Sequence, residues 1–280
     1  MVDNGSPGRE VAERCEDYDF VSAVRLEENA GFSAAVNLAA RRASGEALVL
    51  VNDDCVCERS FVAEIVAPLD RAASVVMAAG VLRNVRDSAV IDTAGLVLDR
   101  TLLVDDYLSG QPMAILDASV ADPLGPSGAA AAYDREAFLA CGGFDENLFA
   151  YWEDVDLALR LAVAGGRCRL ARGAVGTHEH SATLGSGSAG KNRLTGFGRG
   201  YVLRKWGVLT PRRFGPVLAR EGLVIAGQLL VDRNLAGLSG RLDGWRAANP
   251  SEGFPDVPLA GDGLSRTLSR RWRRRRLDSP

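Results

Sequence analysis

This sequence contains very little lysine and histidine. Its 280 residues include two lysines, Lys191 and Lys205, and two histidines, His178 and His180. The five cysteines form no paired CxxC motif, and the C-x-C pair at residues 55–57 is a poor zinc clamp on its own. A structural zinc site is therefore disfavoured. We interpret the odd number of cysteines as reduced thiols of a cytosolic protein.

Long hydrophobic runs and a global excess of positive charge are also missing. The longest apolar run near the C-terminus, residues 223–231, contains Gln228 and is shorter than the roughly 20 residues that span a bilayer. The net charge of −3 gives no reason to expect nucleic acid as a partner. Positive charge is concentrated at residues 270–276, where Trp272 lies among six arginines. This tail fits either a solvated segment without a partner or peripheral contact with the anionic inner face of the cell membrane.

Strand and helix patterns alternate along most of the chain, which predicts an open α/β sheet with crossover helices. The apolar run Ala47–Val51 is typical of a central parallel strand buried on both faces. We predict one large α/β domain over residues 1–206, a helical region over 207–248 and a poorly ordered basic tail over 249–280. Helices are predicted at 31–43, 60–67, 135–140 and 154–164, and strands at 20–26, 74–81, 128–133 and 167–175, with irregular β structure at 91–106.

Acidic side chains follow the most apolar strand, where open α/β sheets bind their ligands. Asn52, Asp53 and Asp54 come directly after Val51. Magnesium and manganese ions often take one or two carboxylates together with substrate phosphates. Because side chains alternate in extended backbone, we expect Asp54 to hold the metal, and Asn52 or Asp53 to contact a nucleotide ribose. A solvated acidic turn before the next helix is the alternative.

A second acidic pair, Glu153 and Asp154, begins a strong helix directly after Trp152. Acids in the first turn stabilise a helix through its dipole, so capping explains them equally well. The same dipole keeps a carboxylate ionised, as a general base requires, and the aromatic residues before it suit a wall against a sugar ring. His178 and His180 follow a predicted strand, and one of them is expected as a further metal ligand, unless both are structural.

Taken in order, these segments resemble the family 2 glycosyltransferases, and particularly their rhamnosyltransferase-like bacterial members. The resemblance runs from Val2 to about Trp206, and its middle block is highly specific. The matching motifs are VDNGS at 2–6, ENAGF at 28–32 with Asn37, VNDD at 51–54, GGFDE at 142–146 followed by Phe149, Tyr151, EDVDL at 153–157 and Arg160, and His178 with Ser181, Ala182 and Thr183.

The resemblance implies a GT-A fold, a Rossmann-like open mixed sheet flanked by helices with a C-terminal helical segment. It also implies an inverting transferase with Asp154 as the base and a nucleotide-sugar donor. Asp54 and His178 would hold the Mg²⁺ or Mn²⁺ that bridges the diphosphate. The acceptor would be a saccharide or a lipid-linked saccharide of cell-envelope or polysaccharide synthesis. The donor-binding residues implied are Asp3, Asn29, Asn52, Asp53, Trp152 and Glu153.

The family pattern normally has another strand, a nucleotide-contacting loop and a helix before the VDNGS element. We therefore expect either a start codon upstream of Met1 or a shortened protein whose nucleotide pocket lacks one wall. An inactive GT-A-like scaffold that pairs with a complete glycosyltransferase is the alternative function. A nucleotidyltransferase of similar architecture is disfavoured, because the sequence has no glycine-rich phosphate loop that carries a lysine.

Two later segments are expected beside the acceptor. The Gly- and Ser-rich residues 184–190 are interpreted as a lid or, equally, as an ordinary flexible loop. The helices from Arg193 onward, with Tyr201, Arg204 and Trp206, are expected to line the acceptor side, although packing against the core explains their apolar residues just as well. The late helices would also serve as a homodimer surface.

Overall fold

A mixed six-stranded sheet forms the centre of the fold. The computed structural model describes residues 1–8, 13, 15, 17–178, 187–250 and 253–259. Its strands are β1 Val2–Asp3, β2 Val24–Arg25, β3 Ala47–Val51, β4 Cys55–Cys57, β5 Val75–Asn84, β6 Ile91–Thr93, β7 Leu96–Leu98, β8 Val104–Asp106, β9 Ala130–Asp134 and β10 Arg167–His178. Its helices are α1 Phe32–Arg42, α2 Phe61–Val66, α3 Arg135–Ala140, α4 Glu153–Val163, α5 Ala189–Lys205, α6 Pro211–Gly227 and α7 Ala236–Ala247.

The strands of the main sheet run in the order β3-β9-β5-β10-β4, and β6 pairs with β5 beside this path. β5 and β10 are parallel, whereas β3, β4, β6 and β9 each pair antiparallel with their neighbours. The predicted open mixed sheet with flanking helices is confirmed. Strands β1 and β2 form a separate parallel pair, and β7 and β8 form a separate hairpin.

The position predicted for β3 is wrong. In the described part of the chain, β3 lies at the edge of the main sheet and pairs antiparallel with β9. Its run is apolar because clusters cover both of its faces: Leu48 and Leu50 join one hydrophobic cluster and Val49 joins another. An apolar strand sequence indicates that both faces of the strand are covered, but it does not indicate whether the strand is central or lies at the edge of the sheet.

Helices cover the two faces of the sheet. On one face, Phe138 of α3 and Leu157 of α4 pack with Met77 and Tyr133 of the strands. On the other face, α2 buries Phe61 and Ile65 against alanines of the sheet. Three of the five β9 residues are alanines, Ala130 to Ala132, and these small side chains let the helices approach closely. The result is a three-layer α/β arrangement.

Asp156 and Arg160 have the i, i+4 spacing that is typical of an ion pair on a helix surface, but Asp156 is buried. Its side chain is fully buried and lies 2.8 Å from Arg160 Nε. It also accepts hydrogen bonds from Lys205 Nζ and, at 3.0 Å, from Trp206 Nε1. Spacing along one helix shows which side chains are neighbours, but it does not show that the end of α5 packs over them. Asp156 therefore ties α4 to α5.

Part of the segment predicted as a poorly ordered tail is packed on the domain. Phe254, Val257 and Leu259 lie against the hydrophobic cluster that contains Trp206 and Val217. The expectation of a poorly ordered tail over 249–280 stays a prediction. Residues 260–280, with the arginine cluster, lie outside the described residues, as do His180, residues 181–183 and the first part of the 184–190 segment.

One helix is longer than the apolar run in the sequence suggested. Helix α6 continues through a π-helical turn, Gln228–Asp232, to give 22 residues, and its most apolar 18-residue window has a mean hydropathy of 1.4. By length and composition alone it is long enough to cross a membrane, so the prediction from residues 223–231 underestimated it. Only 28% of its most apolar window is buried against the protein.

Asn37 links α1 to the GGFDE turn, and this link is testable. Its Nδ2 donates to Phe144 O at 2.9 Å, and its Oδ1 accepts from Phe144 N at 2.8 Å. Asn37→Ala leaves both backbone groups buried without partners, so we expect the free energy of unfolding in urea to fall by about 2–4 kcal/mol. Arg41→Ala, which removes only an exposed contact with Glu146 at 3.7 Å, should cost less than about 0.5 kcal/mol. Equal losses in the two variants would contradict this role of Asn37.

Candidate active site

The end of β10 brings His178 to Asp54. Strand β10 pairs antiparallel with β4, and this register sets His178 opposite Cys55. His178 Nε2 consequently lies 3.2 Å from Asp54 Oδ1. That oxygen is buried and makes no hydrogen bond, so it is available as a ligand atom. The predicted pairing of a strand-end acid with a distant histidine is present in the structure.

The other ring nitrogen of His178 is held by Asp92, which the sequence reasoning missed. Nδ1 lies 3.1 Å from Asp92 Oδ2, and both side chains are buried. Burial lowers the pKa of His178, but hydrogen bonding to Asp92 and the charges of Asp54 and Asp92 outweigh it and raise the pKa overall. A carboxylate on one ring nitrogen orients the imidazole and makes the other nitrogen a better metal ligand. The only sequence signal was an acid in a short apolar strand.

These side chains fit a divalent cation. The ligand atoms of Asp54, Cys55 and His178 all lie within 4.8 Å of one another. Burial, followed by the charge of Asp54, raises the pKa of the Cys55 thiol to about 12, which keeps the sulfur protonated and a poor ligand for a hard ion. One carboxylate and one imidazole leave the remaining positions for phosphate oxygens and water, as magnesium and manganese sites often do.

The second acidic pair lies at the start of α4, where Glu153 is buried and Asp154 is half-buried. Asp154 Oδ1 accepts from Val155 N at 2.8 Å, and its Oδ2 accepts from Gly128 N at 3.2 Å. Burial raises the pKa of Asp154 to about 6, and these backbone donors limit the rise. Burial next to Asp154 raises the pKa of Glu153 well above its ordinary value, so Glu153 holds a proton. The pair thus offers one ionisable carboxylate near neutral pH, beside a neutral one.

The residues before this pair have unusual backbone. Tyr151 and Trp152 both adopt the left-handed conformation, with φ of 70° and 77°. Such values are strained for large side chains and cluster at functional sites. Trp152 is buried, donates from Nε1 to Thr195 O at 3.1 Å, and stacks on the Arg199 guanidinium. This strained turn points the start of α4 at a cavity.

That cavity has a volume of about 470 Å³, and Asp154 and Glu153 form part of its wall. Asp106 of β8 also lines it, and its charge helps to raise the pKa of Asp154. Another part of the cavity wall is polar and is formed by α5, α7 and the π-helical turn that continues α6. The side chains on that wall include Lys191, Asn192, Thr195, Arg199, Gln228 and Arg241.

The residues of α5 that were expected on the acceptor side, Tyr201, Arg204 and Trp206, do not line the cavity, which favours the alternative of packing against the core. Tyr201 and Trp206 are buried in the core and bind Asp145 and Asp156. Arg204 donates to Trp245 O. The cavity-lining residues of α5 lie one to three turns earlier in the helix. The sequence could not distinguish the two ends of α5, because both carry aromatic and basic residues.

A short backbone segment, residues 127–129, connects the cavity to the candidate cation site. The site formed by Asp54 and His178 is called the cation corner below. Ala129 O accepts from Asn52 N at 3.3 Å and, more weakly, from the Cys55 thiol. The preceding residue, Gly128, donates to Asp154. Asp54 and His178 are not among the residues that line the cavity, and residues 128–129 bond both to the loop that carries Asp54 and to Asp154.

The residues expected to contact the nucleotide lie in the first part of the chain, at Asp3, Asn29, Asn52 and Asp53. Asp3 is buried, accepting from Ser6 N at 3.0 Å and from Arg25 Nη1 at 2.9 Å; hydrogen bonds from Ser6 are the main reason that its pKa is lowered. Asn29 Oδ1 accepts from Asn4 Nδ2 and from Gly31 N. Asn52 and Asp54 are half-buried and Asp53 is exposed, and the two acids lie in a turn between β3 and β4 rather than in the extended backbone that the prediction assumed. Nucleotide binding by these residues stays a prediction.

Comparison with known proteins identifies the architecture. Residues 1–91 match the family model described as Glycosyl transferase family 2. The solved structure of GalNAc-T7 with UDP, GalNAc and Mn²⁺ shares 18% identity, with a TM-score of 0.57 over 73% of this chain and 41% of that one. The mannosyltransferase PcManGT from Pyrobaculum calidifontis, in complex with GDP-Man and Mn²⁺, shares 20% identity, with a TM-score of 0.50 over 100% of this chain and 71% of that one. The fold is that of the GT-A glycosyltransferases.

The extent of these likenesses is limited. The chain spans less than half of the length of the GalNAc-T7 structure, whose match covers 41% of that chain. No curated protein sequence matches the chain. The GT-A fold expected from the motifs is confirmed. The family match covers the VDNGS, ENAGF and VNDD motifs, whereas the Asp154 block lies beyond residue 91.

Removing the charge of Asp92 tests its role beside the cation corner. In Asp92→Asn, the His178 ring loses the carboxylate that orients it, so we expect the affinity for Mn²⁺, measured by isothermal titration calorimetry, to fall about 10–100-fold. Glu58→Gln is the matched control, because Glu58 forms only a half-exposed ion pair with Arg83 at 3.0 Å. If Asp92→Asn binds Mn²⁺ as tightly as this control, Asp92 does not position the ligand.

Proposed function

We propose that this protein transfers a sugar from a nucleotide-diphosphate donor to an acceptor hydroxyl, with inversion at the anomeric carbon. The observation that carries the proposal is the Asp154 carboxylate, which has a pKa of about 6 and lines a 470 Å³ cavity within a GT-A fold. A base of this kind is ionised at neutral pH and still basic enough to accept a proton from a hydroxyl that is attacking.

The donor type is supported by the similar structures. GalNAc-T7 is seen with UDP and Mn²⁺, and PcManGT is seen with GDP-Man and Mn²⁺. The motif resemblance assigns nucleotide-sugar binding to Asp3, Asn29, Asn52 and Asp53, with Trp152 and Glu153 nearer the sugar. The cation corner has one imidazole and one carboxylate, and imidazole suits manganese better than magnesium, which strongly prefers oxygen. We therefore expect Mn²⁺ to bind more tightly than Mg²⁺.

The chemistry of Asp154 follows from its surroundings. Each carboxylate oxygen accepts one backbone hydrogen bond, and each has a further lone pair directed elsewhere. The acceptor hydroxyl donates to one of these lone pairs, and its proton passes to Asp154 as the oxygen attacks the sugar. A bond forms between that oxygen and the anomeric carbon while the bond to the diphosphate breaks on the opposite face. This single displacement inverts the anomeric centre and needs no covalent enzyme intermediate.

Asp54 and His178 would hold the cation, and the cation would neutralise the charge that develops on the departing diphosphate. Glu153 contributes differently, because its proton keeps a second negative charge away from the base. The polar wall of α5, α6 and α7 faces the acceptor. Its amide, hydroxyl and cationic groups suit a saccharide, whose hydroxyls need hydrogen-bond partners in a cavity.

The biological setting is proposed from the motif resemblance. A rhamnosyltransferase-like enzyme of cell-envelope or polysaccharide synthesis would work in the cytoplasm, on a saccharide or lipid-linked acceptor. The alternative, an inactive scaffold paired with a complete glycosyltransferase, is disfavoured by the assembled Asp54–His178 contact and by the ionisable Asp154. A scaffold would show no Mn²⁺-dependent binding of UDP- or GDP-sugars in calorimetry.

Replacing Asp154 tests the assigned base. Asp154→Asn keeps the shape of the side chain but cannot accept a proton, so turnover should fall about 10²–10⁴-fold while donor affinity changes little. Glu153→Gln is the matched comparison. Because the raised pKa of Glu153 favours its neutral form, the neutral Gln side chain changes the charge little, and we expect this variant to retain most of the turnover. Product formation from nucleotide sugars in the presence of Mn²⁺ is the measurement. Near-normal turnover by the Asn variant would exclude Asp154 as the base.

The pKa of Asp154 makes a separate prediction about pH. Because the pKa is raised from 3.8 to about 6 in the folded protein, the burial of this group destabilises the fold progressively as the pH rises through that interval. Asp154→Asn should therefore have a higher Tm than the parent at pH 8, and the difference should shrink as the pH is lowered towards 4. Activity of the parent should fall below pH 6, where Asp154 is protonated. A Tm difference that does not depend on pH would contradict the raised pKa.

A further inference from the structure

Helix α6 is amphipathic with its polar side inward. The buried residues of its helix and π-helical turn are Val217, Arg220, Glu221 and Gln228. Six of its large apolar side chains are exposed, and Leu230 is the most exposed of them at 79%. These exposed residues are Phe214, Leu218, Leu223, Leu229, Leu230 and Val231. A surface helix of a water-soluble domain normally has the opposite arrangement.

Buried ion pairs fix this orientation. Arg220 Nη2 lies 3.0 Å from Asp99 Oδ2. Glu221 accepts from Arg199 Nε at 2.7 Å and from Arg241 Nε at 2.6 Å. Turning α6 to bury its apolar side would break all three pairs and leave charges without partners in the interior. The apolar side therefore faces outward in the folded protein.

Helix α7 presents a second apolar stripe. Leu235, Leu238, Leu242 and Trp245 recur at helical spacing and are exposed. The opposite side of α7 is lined with glycines that pack on α5: a Cβ at Gly240 or Gly244 would overlap a carbonyl oxygen of that helix. This glycine face must point inward, so the stripe must point outward.

Basic side chains outnumber acidic ones beside these stripes. On α7 the partly exposed Asp243 is paired with Arg193 and Arg246, and Arg246 is itself 73% exposed. Arg212 lies at the start of α6, and Arg233 follows its end. The acidic residues of the same stretch point inward, because Glu221 is buried and Asp232 accepts from Asn192 Nδ2 at 3.0 Å. An apolar surface flanked by arginines complements a membrane with anionic lipids.

We propose that the exposed apolar sides of α6 and α7 bind the surface of an anionic lipid bilayer. Helix α6 lies in the interface and does not span the bilayer, although its length and hydropathy would allow it. A spanning helix would carry Arg220 and Glu221 into hydrocarbon, away from the partners that hold them in the domain. Lying in the plane of the interface keeps these pairs intact and places only the apolar side chains among the lipids.

This surface adjoins the cavity that contains Asp154. Val224 and Gln228 of the same helical stretch line that cavity. Membrane binding by α6 would therefore hold the cavity close to the lipid, where a lipid-linked acceptor resides. The binding itself does not depend on the proposed transfer reaction, and it is tested without a donor or an acceptor.

Vesicle sedimentation tests the proposal with the full chain. The parent protein should bind vesicles of phosphatidylcholine with about one-third phosphatidylglycerol more strongly than vesicles of phosphatidylcholine alone. The double variant Leu218→Gln, Leu230→Gln should lose at least about tenfold of its partitioning while its Tm is unchanged, because both side chains are exposed. Val62→Gln, an exposed apolar residue of α2 that is 59% exposed, is the control and should bind like the parent.

Each other outcome would overturn the proposal. If the parent does not bind these vesicles, or if the double variant binds fully, the helices do not contact lipid; the second result would leave the arginine-rich tail as the attachment. Analytical ultracentrifugation without lipid tests the remaining occupant, a second copy of the chain. A dimer that dissociates in the double variant would assign the surface to self-association.

Discussion

The placement of two adjacent carboxyls at one helix end, Glu153 buried and Asp154 half-buried, is the constraint on which the site depends. Glu153 and Asp154 cannot both ionise in a poorly solvated position, and burial raises the pKa of each. The structure responds by leaving a proton on Glu153 and by directing the backbone N–H groups of Gly128 and Val155 at Asp154. A single carboxylate that ionises near neutral pH results, at a cost in stability. The strained turn at Tyr151 and Trp152 belongs to the same arrangement, because it aims the helix start into the cavity.

Residues 127–129 connect the two parts of the candidate site. Gly128 donates to Asp154, the proposed base, and Ala129 accepts from the loop that carries Asp54. The opposite side of that loop is held by His178, which β10 delivers and Asp92 orients. Base and cation corner are thus positioned by one backbone segment. A shift of this segment would move both, since packed elements transmit displacement rather than absorb it.

The sequence predicted what local signals determine. Helices α1, α3 and α4 and strand β5 appear within a few residues of their expected bounds, because capping residues, glycines and apolar periodicity mark them. The pairing of Asp54 with His178 was also predicted, from their positions at strand ends and from the resemblance. The edge position of β3, the burial of Asp156 and the role of Asp92 were missed. Each depends on which distant element packs alongside, and this information is not present in the spacing of one segment.

Helix α6 shows the same limit in its sharpest form. Periodicity reports that one side of a helix is apolar, but it does not report whether that side faces the core. Here three ion pairs, formed with residues far apart in the chain, decide the orientation and turn the polar side inward. The apolar side then requires an environment other than water, since large exposed apolar surfaces mark interaction sites. The ion pairs also exclude deep insertion, so the physical arrangement that satisfies both sides is a helix lying at a boundary between the domain and lipid.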